Sequence, residues 1–248
     1  MYSHEDQFMI VAIHQPHFLP WQGYLDRMRQ ADLFILLDHV QFERQNYQNR
    51  VMIKTGEGPR WITVPVHHSQ QEAIMDKTID NHNEGRLRWG RKVYQTIQYA
   101  YQGAPFFNLY APQLKTLFDT RWEKLMDLDM AILDLLRNAL DIRTPMVRSS
   151  DLHVTGQKNE MILALCKAVG ADTFLGGLGG CRRYLDTEAF ERAGINVAWQ
   201  KFTHPHYPQR PRAENFVEGL ASIDLLFNCG PESAEILQGR ELAYAANH

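Results

Sequence analysis

The chain has 248 residues, of which 44% are hydrophobic and 22% charged, and its formal net charge is −3. This composition is ordinary for a globular protein, and the charge balance gives no reason to expect nucleic acid as a partner. Its apolar runs all fall short of the roughly 18 residues that a membrane-spanning helix needs, so no membrane insertion is expected.

The three cysteines, Cys166, Cys181 and Cys229, are odd in number and form no CxxC pair. This usage argues for a reducing compartment and against a structural zinc site. The first residues include Glu5 and Asp6 but no long apolar core. We therefore expect no secretory signal and a cytoplasmic location.

The start of the chain predicts a strand, a polar loop, a helix and a second strand. Apolar runs at 8–13 and 33–38 are typical of buried strands. A loop rich in histidine and proline follows the first run, and a helical pattern begins after Pro20. Strand, crossover and strand together indicate a parallel βαβ unit.

The middle of the chain predicts a hairpin and then a block of helices. Strand patterns at 50–54 and 61–66 flank a turn that contains two glycines. From about 84 to 140 the pattern is helical, and the amphipathic character is strongest at 122–140.

Strands and helices alternate again towards the carboxyl end. The predicted elements are strands at 146–148, 173–177 and 196–200 and helices at 155–169, 187–193 and 216–227. We therefore predict an α/β fold with a Rossmann-like parallel sheet and a helical insertion, built as a single domain over residues 1–248.

The first loop is a candidate site because open α/β sheets bind ligands where their strands end. His14, Gln15 and His17 follow the first strand. Two histidines can serve as acid and base or, when charged, donate to phosphate oxygens. We predict no metal here, since no third ligand has a characteristic spacing. For His14 we favour a functional role, whereas for His17 a role in the core is an equal alternative.

The second strand ends in a carboxylate. Asp38 lies at the same sheet edge as His14 if the two strands are parallel, and Gln41 follows it. A carboxylate there can bind ribose hydroxyls, an amine or a cation. A turn or capping role for Asp38 is an equal alternative.

The hairpin carries positive charge. Asn49, Arg50 and Lys54 lie on its first strand, and the two cations are four positions apart. Their side chains therefore share one face of the strand and could hold phosphate or carboxylate oxygens. A solvated basic strand is the alternative.

Two further loops follow strands. The first contains Gly176, Gly177, Gly179, Gly180 and Arg182. Glycines let the backbone approach a ligand and supply N–H groups to an anion. Cys181 lies in the same loop, but without a paired histidine it is a weak candidate nucleophile.

The second of these loops contains His204 and His206, again with prolines. Loops that follow parallel strands meet at one sheet edge. We therefore predict that one cleft is lined by His14, Gln15, His17, Asp38, Arg50, Lys54, the glycines at 176–180 and His204.

Several motifs make this chain resemble the WbqC-like protein family. They include residues 14–16, 19–21, 23–24, 31–32, 37–38, 41–42, 49–50, 53–54 and 63–66, the glycine-rich loop, Tyr184–Leu185 and the 204–207 segment. Members of that family are encoded in bacterial surface-polysaccharide (O-antigen) gene clusters. The resemblance implies transfer of glycine or a related small acyl group to an amino sugar, and Tyr184 joins the candidate binding residues.

A fainter resemblance concerns ATP. A strand, a loop with two histidines, a helix and a strand are similar to the start of the nucleotidylyltransferase superfamily, whose paired histidines bind ATP. That superfamily has glycine just before the second histidine, where this chain has Pro16. The resemblance lies at the level of the fold.

The sequence thus predicts a transferase whose small-molecule substrate is a nucleotide-linked amino sugar. His14, His17 and Lys54 are the predicted catalytic residues, and the other candidates are assigned to substrate or nucleotide binding. The cofactor stays unassigned, with ATP one candidate: the acyl group is activated with ATP, or it arrives already activated. A ligand-binding or scaffold protein of polysaccharide assembly is the alternative, and the sequence indicates no oligomeric state.

Overall fold

The computed structural model of this chain describes residues 8–68, 71–82, 88–177, 179, 182, 185–210 and 215–239. The chain divides into two compact units. Unit 1 comprises the described residues of Met1–Gln15, Asp26–Val40 and Arg143–Phe202. Unit 2 comprises those of Pro16–Leu25, Gln41–Ile142 and Thr203–His248. The expectation of a single domain stays a prediction.

A five-stranded parallel sheet forms the centre of unit 1. Its strands are β1 (Ile10–His14), β2 (Leu33–Leu36), β5 (Met146–Arg148), β6 (Thr173–Gly176) and β7 (Asn196–Trp199). They lie in the order β5-β2-β1-β6-β7, and every neighbouring pair is parallel. The predicted Rossmann-like α/β class is confirmed.

Unit 2 contains a hairpin and most of the helices that the structure describes. The hairpin pairs β3 (Arg50–Thr55) with β4 (Gly58–Thr63) in antiparallel register. The helices whose bounds the structure describes, in both units together, are α1 (Gln22–Arg29), α2 (Trp89–Tyr101), α3 (Phe107–Asp119), α4 (Leu125–Ala139), α5 (Lys158–Ala168), α6 (Thr187–Arg192), α7 (Ile223–Cys229) and α8 (Ser233–Leu237). The hairpin and α2 to α4 are the insertion, since they separate β2 from β5 along the chain.

The continuous apolar runs become sheet strands because both faces of the sheet are covered. Val11, Ile35 and Phe174 of the strands are at most 2% exposed. They belong to one core cluster with Leu165 of α5 and Phe190 of α6. A parallel strand buried on both faces shows no alternation of polar and apolar residues, which is why the sequence runs are continuous.

The predicted closing helix is wrong in its first half. The helix begins at Ile223 rather than near Phe216. Gly219 has a φ of +71°, which is left-handed and interrupts a helix. Ala221 instead donates its N–H to the carbonyl oxygen of Met52 at 2.9 Å. This backbone hydrogen bond to the hairpin therefore prevents the helix from beginning where the local sequence pattern predicts.

The second hairpin strand also begins earlier than the sequence predicts. It covers Gly58–Thr63 instead of residues 61–66, so the turn shortens to residues 56–57. The Thr55 hydroxyl donates to the carbonyl oxygen of Gly58 at 2.7 Å and accepts from the N–H of Glu57 at 3.3 Å. These bonds stabilise the tight turn.

Replacing Gly90 with alanine is expected to destabilise unit 2. A Cβ at Gly90, in the first turn of α2, would lie 2.1 Å from the carbonyl oxygen of Phe118 in α3. The helices must separate to accept it, which we expect to lower the free energy of unfolding by about 1–3 kcal/mol. Gly103→Ala is the control, because a Cβ there meets nothing within 4 Å. Equal urea midpoints for the two variants would contradict this packing.

Within the described residues, no helix combines the length and the apolar character needed to cross a membrane.

Candidate functional site

Three side-chain groups are candidates for function, and the first is the carboxyl edge of the sheet in unit 1. His14 pairs with Leu36 across β1 and β2. Ala12 pairs with Leu175 across β1 and β6, so in the same register His14 lies opposite Gly177. The strand order reverses between β1 and β6. Open α/β sheets bind their ligands at such a switch point, outside the carboxyl ends of the strands.

His14 is the last residue of β1 and is half-buried. Its Nδ1 lies 2.9 Å from the carbonyl oxygen of Gln15. A carbonyl oxygen only accepts, so Nδ1 carries the proton and Nε2 carries the lone pair. The sequence prediction placed this histidine in a loop, and the strand instead fixes its backbone.

Sequence reasoning missed Arg27, a cation at the switch point. The side chain is 6% exposed, and a Cβ at Gly177 would lie only 1.7 Å from its Nη1. Glycine at this position therefore lets the guanidinium lie directly against the backbone beyond β6. The sequence shows only a charged residue in a helical pattern, which by itself predicts a solvated position.

The glycine-rich loop is described only in part. A Cβ at Gly176 would lie 2.6 Å from the ring of Trp199, so glycine there makes room for the indole. The Arg182 guanidinium lies 5.6 Å from the centroid of the same ring, and its backbone N–H donates to Gly179 at 3.2 Å. Three candidate residues in or next to this loop lie outside the described residues: Gly180, Cys181 and Tyr184.

Asp38 is fully buried in unit 1 and is held by the last residue of β5 and the two serines that follow it. Its carboxylate accepts from Arg148 Nε at 2.6 Å, from the Ser149 hydroxyl at 3.0 Å and from the N–H and hydroxyl of Ser150 at 3.0 and 2.9 Å. Burial by itself raises the pKa of Asp38, but these hydrogen bonds bring it below its usual value. The geometry favours the turn role, and ligand binding by Asp38 stays a prediction.

His17 lies in unit 2 and is 8% exposed. Its ring is 5.1 Å from that of Tyr24 and 5.3 Å from that of Tyr47. Burial lowers the pKa of His17 to about 3, so the imidazole is neutral at pH 7. This environment favours the core alternative, and the catalytic role stays a prediction.

The second candidate is a cationic cavity of about 260 Å³ in unit 2. Arg50 and Asn49 line it, as the sequence analysis expected of an anion site, together with Arg44 and Lys77. The Arg50 guanidinium lies 4.3 Å from the centroid of the Trp61 ring and donates to the carbonyl oxygen of Gln45. These contacts hold the guanidinium in place before any ligand arrives.

Lys77 forms the buried side of this cavity. It is 2% exposed, and its ammonium lies 3.0 Å from a carboxylate oxygen of Glu72. Asn49 donates its amide N–H to the carbonyl oxygen of Val64 at 2.9 Å. Lys54 and His204 are not among the described residues that line the cavity.

The third candidate is a buried network around Asp224 of α7, which sequence reasoning missed. Asp224 is fully buried and accepts hydrogen bonds from Tyr101 at 2.9 Å, from Tyr207 at 2.7 Å and from Gln209 at 3.1 Å. Lys54 is 1% exposed and donates to Gln209 at 3.1 Å. One signal was present in the sequence: an acid in a helix whose other residues are mostly apolar.

Opposing effects set the charge of this network. Burial raises the pKa of Asp224 to about 6, although hydrogen bonds from Tyr207 and Tyr101 and the nearby Lys54 cation lower it. Burial lowers the pKa of Lys54, and the Asp224 carboxylate raises it. The Asp224 carboxylate and the Lys54 ammonium are thus both buried, and each stabilises the charged form of the other.

The Asp224 network extends to a histidine that the sequence analysis did predict. Gln22 donates to the Tyr207 hydroxyl at 2.7 Å, and His204 Nδ1 lies 3.2 Å from the amide oxygen of Gln22. His204 is half-buried, whereas His206 is exposed with its ring 4.6 Å from that of Phe216.

The predicted site residues divide between the two units. Unit 1 holds His14, Gln15, Asp38, Gly176, Gly177, Gly179 and Arg182. Unit 2 holds His17, Gln41, Asn49, Arg50, Lys54, His204 and His206, with Gln41 exposed. The prediction that they line one cleft stays a prediction. In the described part of the chain, no group of three histidine, cysteine or acidic side chains could hold a metal ion.

Comparison with known proteins identifies the family. The family model described as "WbqC-like protein family" matches residues 15–236. The chain belongs to the WbqC-like protein family. This WbqC-like chain is 30% identical over 236 residues, 92% of its length and 97% of the relative, to the "Uncharacterized protein Rv1507c" of Mycobacterium tuberculosis (strain ATCC 25618 / H37Rv). No solved structure matches the chain.

Proposed function

We propose that this WbqC-like protein is a transferase that attaches glycine or a related small acyl group to an amino sugar in surface-polysaccharide (O-antigen) biosynthesis. The amino sugar would be carried on a nucleotide and bound by unit 1. Family membership supports the reaction class, and the sheet supports the nucleotide.

The observation that carries the proposal is the composition of the switch point. His14 ends β1, Gly177 follows β6, and the Arg27 guanidinium lies against that glycine. A nucleotide diphosphate needs cationic and N–H donors close to a backbone that lets it approach. The carboxyl edge of the Rossmann-like sheet and these three residues support such a site.

The other predicted roles follow from what acyl transfer requires of the protein. An amine must lose a proton as it attacks an acyl carbon, and the leaving group gathers negative charge. His14 Nε2 would donate to phosphate when protonated or accept a proton when neutral.

Two routes can activate the acyl group, and they differ in the ligands they require. With ATP, the carboxylate becomes an acyl-adenylate or acyl phosphate before the amine attacks. With a pre-activated donor, such as a thioester, the protein only positions the reactants. ATP binding distinguishes the first route from the second.

Calorimetry with a uridine-diphosphate-linked amino sugar, and separately with ATP, tests the proposal. Arg27→Gln removes the cation from the switch point, so we expect it to weaken nucleotide-sugar binding by about tenfold to a hundredfold. Arg29→Gln is the matched control on the same helix, since Arg29 pairs with Asp26 at 2.9 Å. If neither ligand binds and His14→Ala behaves like the unaltered protein, the scaffold alternative replaces the enzyme.

A further inference from the structure

The cationic cavity is built from residues of unit 2 alone, and its described lining carries an excess of positive charge. Three cations line it, Arg44, Arg50 and Lys77, and no acidic side chain is among the described residues that do so. Glu72, which is not a lining residue, offsets the charge of Lys77 at 3.0 Å. Neither guanidinium forms an ion pair with a described residue, so both charges are left for a ligand.

The Arg50 guanidinium is held in place and still has donors to offer. It lies 4.3 Å from the centroid of the Trp61 ring, which in turn lies 5.6 Å from the ring of Tyr47. A guanidinium carries five N–H donors in a planar fork. Among the described residues, only the carbonyl oxygen of Gln45 accepts from them, and the buried Nε has no partner there. An anion would therefore complete the hydrogen bonding of this side chain.

The walls of the cationic cavity are fixed by hydrogen bonds and include carbon surface. Val64 donates its N–H to the carbonyl oxygen of Asn49 at 2.8 Å, and the Asn49 amide donates back at 2.9 Å. Phe42, Val64, Pro65 and Val66 give the lining its apolar part. Cations together with apolar side chains suit an organic anion better than a bare ion.

We propose that the cationic cavity binds a small phosphate monoester, whose phosphate oxygens accept from Arg44 and Arg50. A phosphate monoester carries a charge of about −1.5 to −2 at pH 7, which two guanidinium groups without acidic partners match better than they match a single carboxylate. The volume of about 260 Å³ lies just below the range of about 300–1,000 Å³ for drug-sized ligands, which suits a sugar phosphate or a nucleoside monophosphate. This inference does not depend on the proposed acyl transfer.

Calorimetry at pH 8 tests the ligand class with matched probes. Glucose 6-phosphate and glucuronate share one sugar ring, but the first carries a phosphate group where the second carries a carboxylate. We expect glucose 6-phosphate to bind about tenfold more tightly, because its second charge meets the second guanidinium. Adenosine monophosphate is the third probe. The tighter of the two phosphates shows whether a sugar or a nucleoside carries the group, and either order supports the inference.

Three variants test the cavity itself. Arg50→Gln removes the held guanidinium, so we expect it to weaken binding of the phosphate probe by about tenfold to a hundredfold. Arg44 is exposed, and screening by water reduces the expected loss for Arg44→Gln to about twofold to fivefold. Arg60→Gln is the matched control: Arg60 is exposed on β4 of the same hairpin, and it is not among the described lining residues. It should keep the affinity of the unaltered protein.

Thermal unfolding establishes whether Arg50→Gln is folded, since Arg50 also contacts Trp61 and Gln45. If it is not, the comparison of Arg44→Gln with Arg60→Gln decides. Three results overturn the inference. They are no binding of either phosphate probe, binding of glucuronate as tight as that of glucose 6-phosphate, and equal affinities in Arg44→Gln and Arg60→Gln, which would assign the binding to the overall charge of the surface.

Discussion

Replacing His14 with alanine is expected to lower the turnover of the proposed acyl transfer by about two to four orders of magnitude, the usual range for a positioned acid–base group. The imidazole stands at the carboxyl end of β1, beside the point where the strand order reverses. Its Nδ1 is bonded to the carbonyl oxygen of Gln15, so Nε2 is the nitrogen to which the proposed role is assigned. Alanine removes that nitrogen and leaves the strand.

The melting temperature of His14→Ala should change little, because the side chain is only half-buried. His153→Asn serves as the control in the same unit: His153 is exposed, and asparagine accepts its φ of 50°. Steady-state rates and thermal unfolding of both variants check the prediction. A large loss of stability with normal activity per folded molecule would make His14 a core histidine.

Replacing Lys54 with methionine is expected to lower the free energy of unfolding by about 3–5 kcal/mol at neutral pH, the usual effect of breaking a buried charge pair. Methionine fills a similar space but removes the cation, so the buried Asp224 carboxylate loses its positive neighbour. The sequence analysis assigned Lys54 to catalysis. The structure surrounds it with protein partners and leaves it 1% exposed.

The pH dependence of this loss identifies its cause. Burial raises the pKa of Asp224 to about 6 in the fold, so the stability this group contributes is present below pH 4 and is lost as the pH rises through 6. Without Lys54 that pKa rises further, and the loss extends to higher pH. Urea unfolding should therefore show a larger deficit for Lys54→Met at pH 8 than at pH 4.5.

Lys92→Met is the control, since Lys92 is exposed on α2. It should match the unaltered protein at both pH values. A deficit for Lys54→Met that is equal at pH 8 and pH 4.5 would show that Asp224 is not the group left uncompensated. Unchanged stability with lost turnover would support the predicted catalytic role of Lys54, which stays a prediction.

The sequence predicted the sheet well because strand patterns are local. The runs at 8–13 and 33–38 gave β1 and β2 within two residues at each end. Parallel pairing then followed from the length of the connection between them. Element ends were less predictable, as at Ile223, because a bond between Ala221 and the distant hairpin decided where α7 begins.

For the site, the sequence by itself determined which residues stand at the strand ends, and these include His14 and Gly177. Such positions are predictable because burial of an apolar run fixes where the strand ends and the loop begins. The motifs also identified the WbqC-like family, which the family match over residues 15–236 confirms. Neither the strand patterns nor the family motifs could show which polar side chains contact one another.

Only the tertiary structure decided which of the candidates are held by other protein groups. Asp38 and Arg148 are 110 positions apart in the chain, and Tyr101 and Asp224 are 123 apart. A local pattern shows whether a position is polar, but it carries no information on a partner that distant. Burial also changes the role expected of a charged side chain, because a charge removed from water must be paired or neutralised. That is why Lys54, predicted as a ligand-holding cation, belongs to the buried network around Asp224.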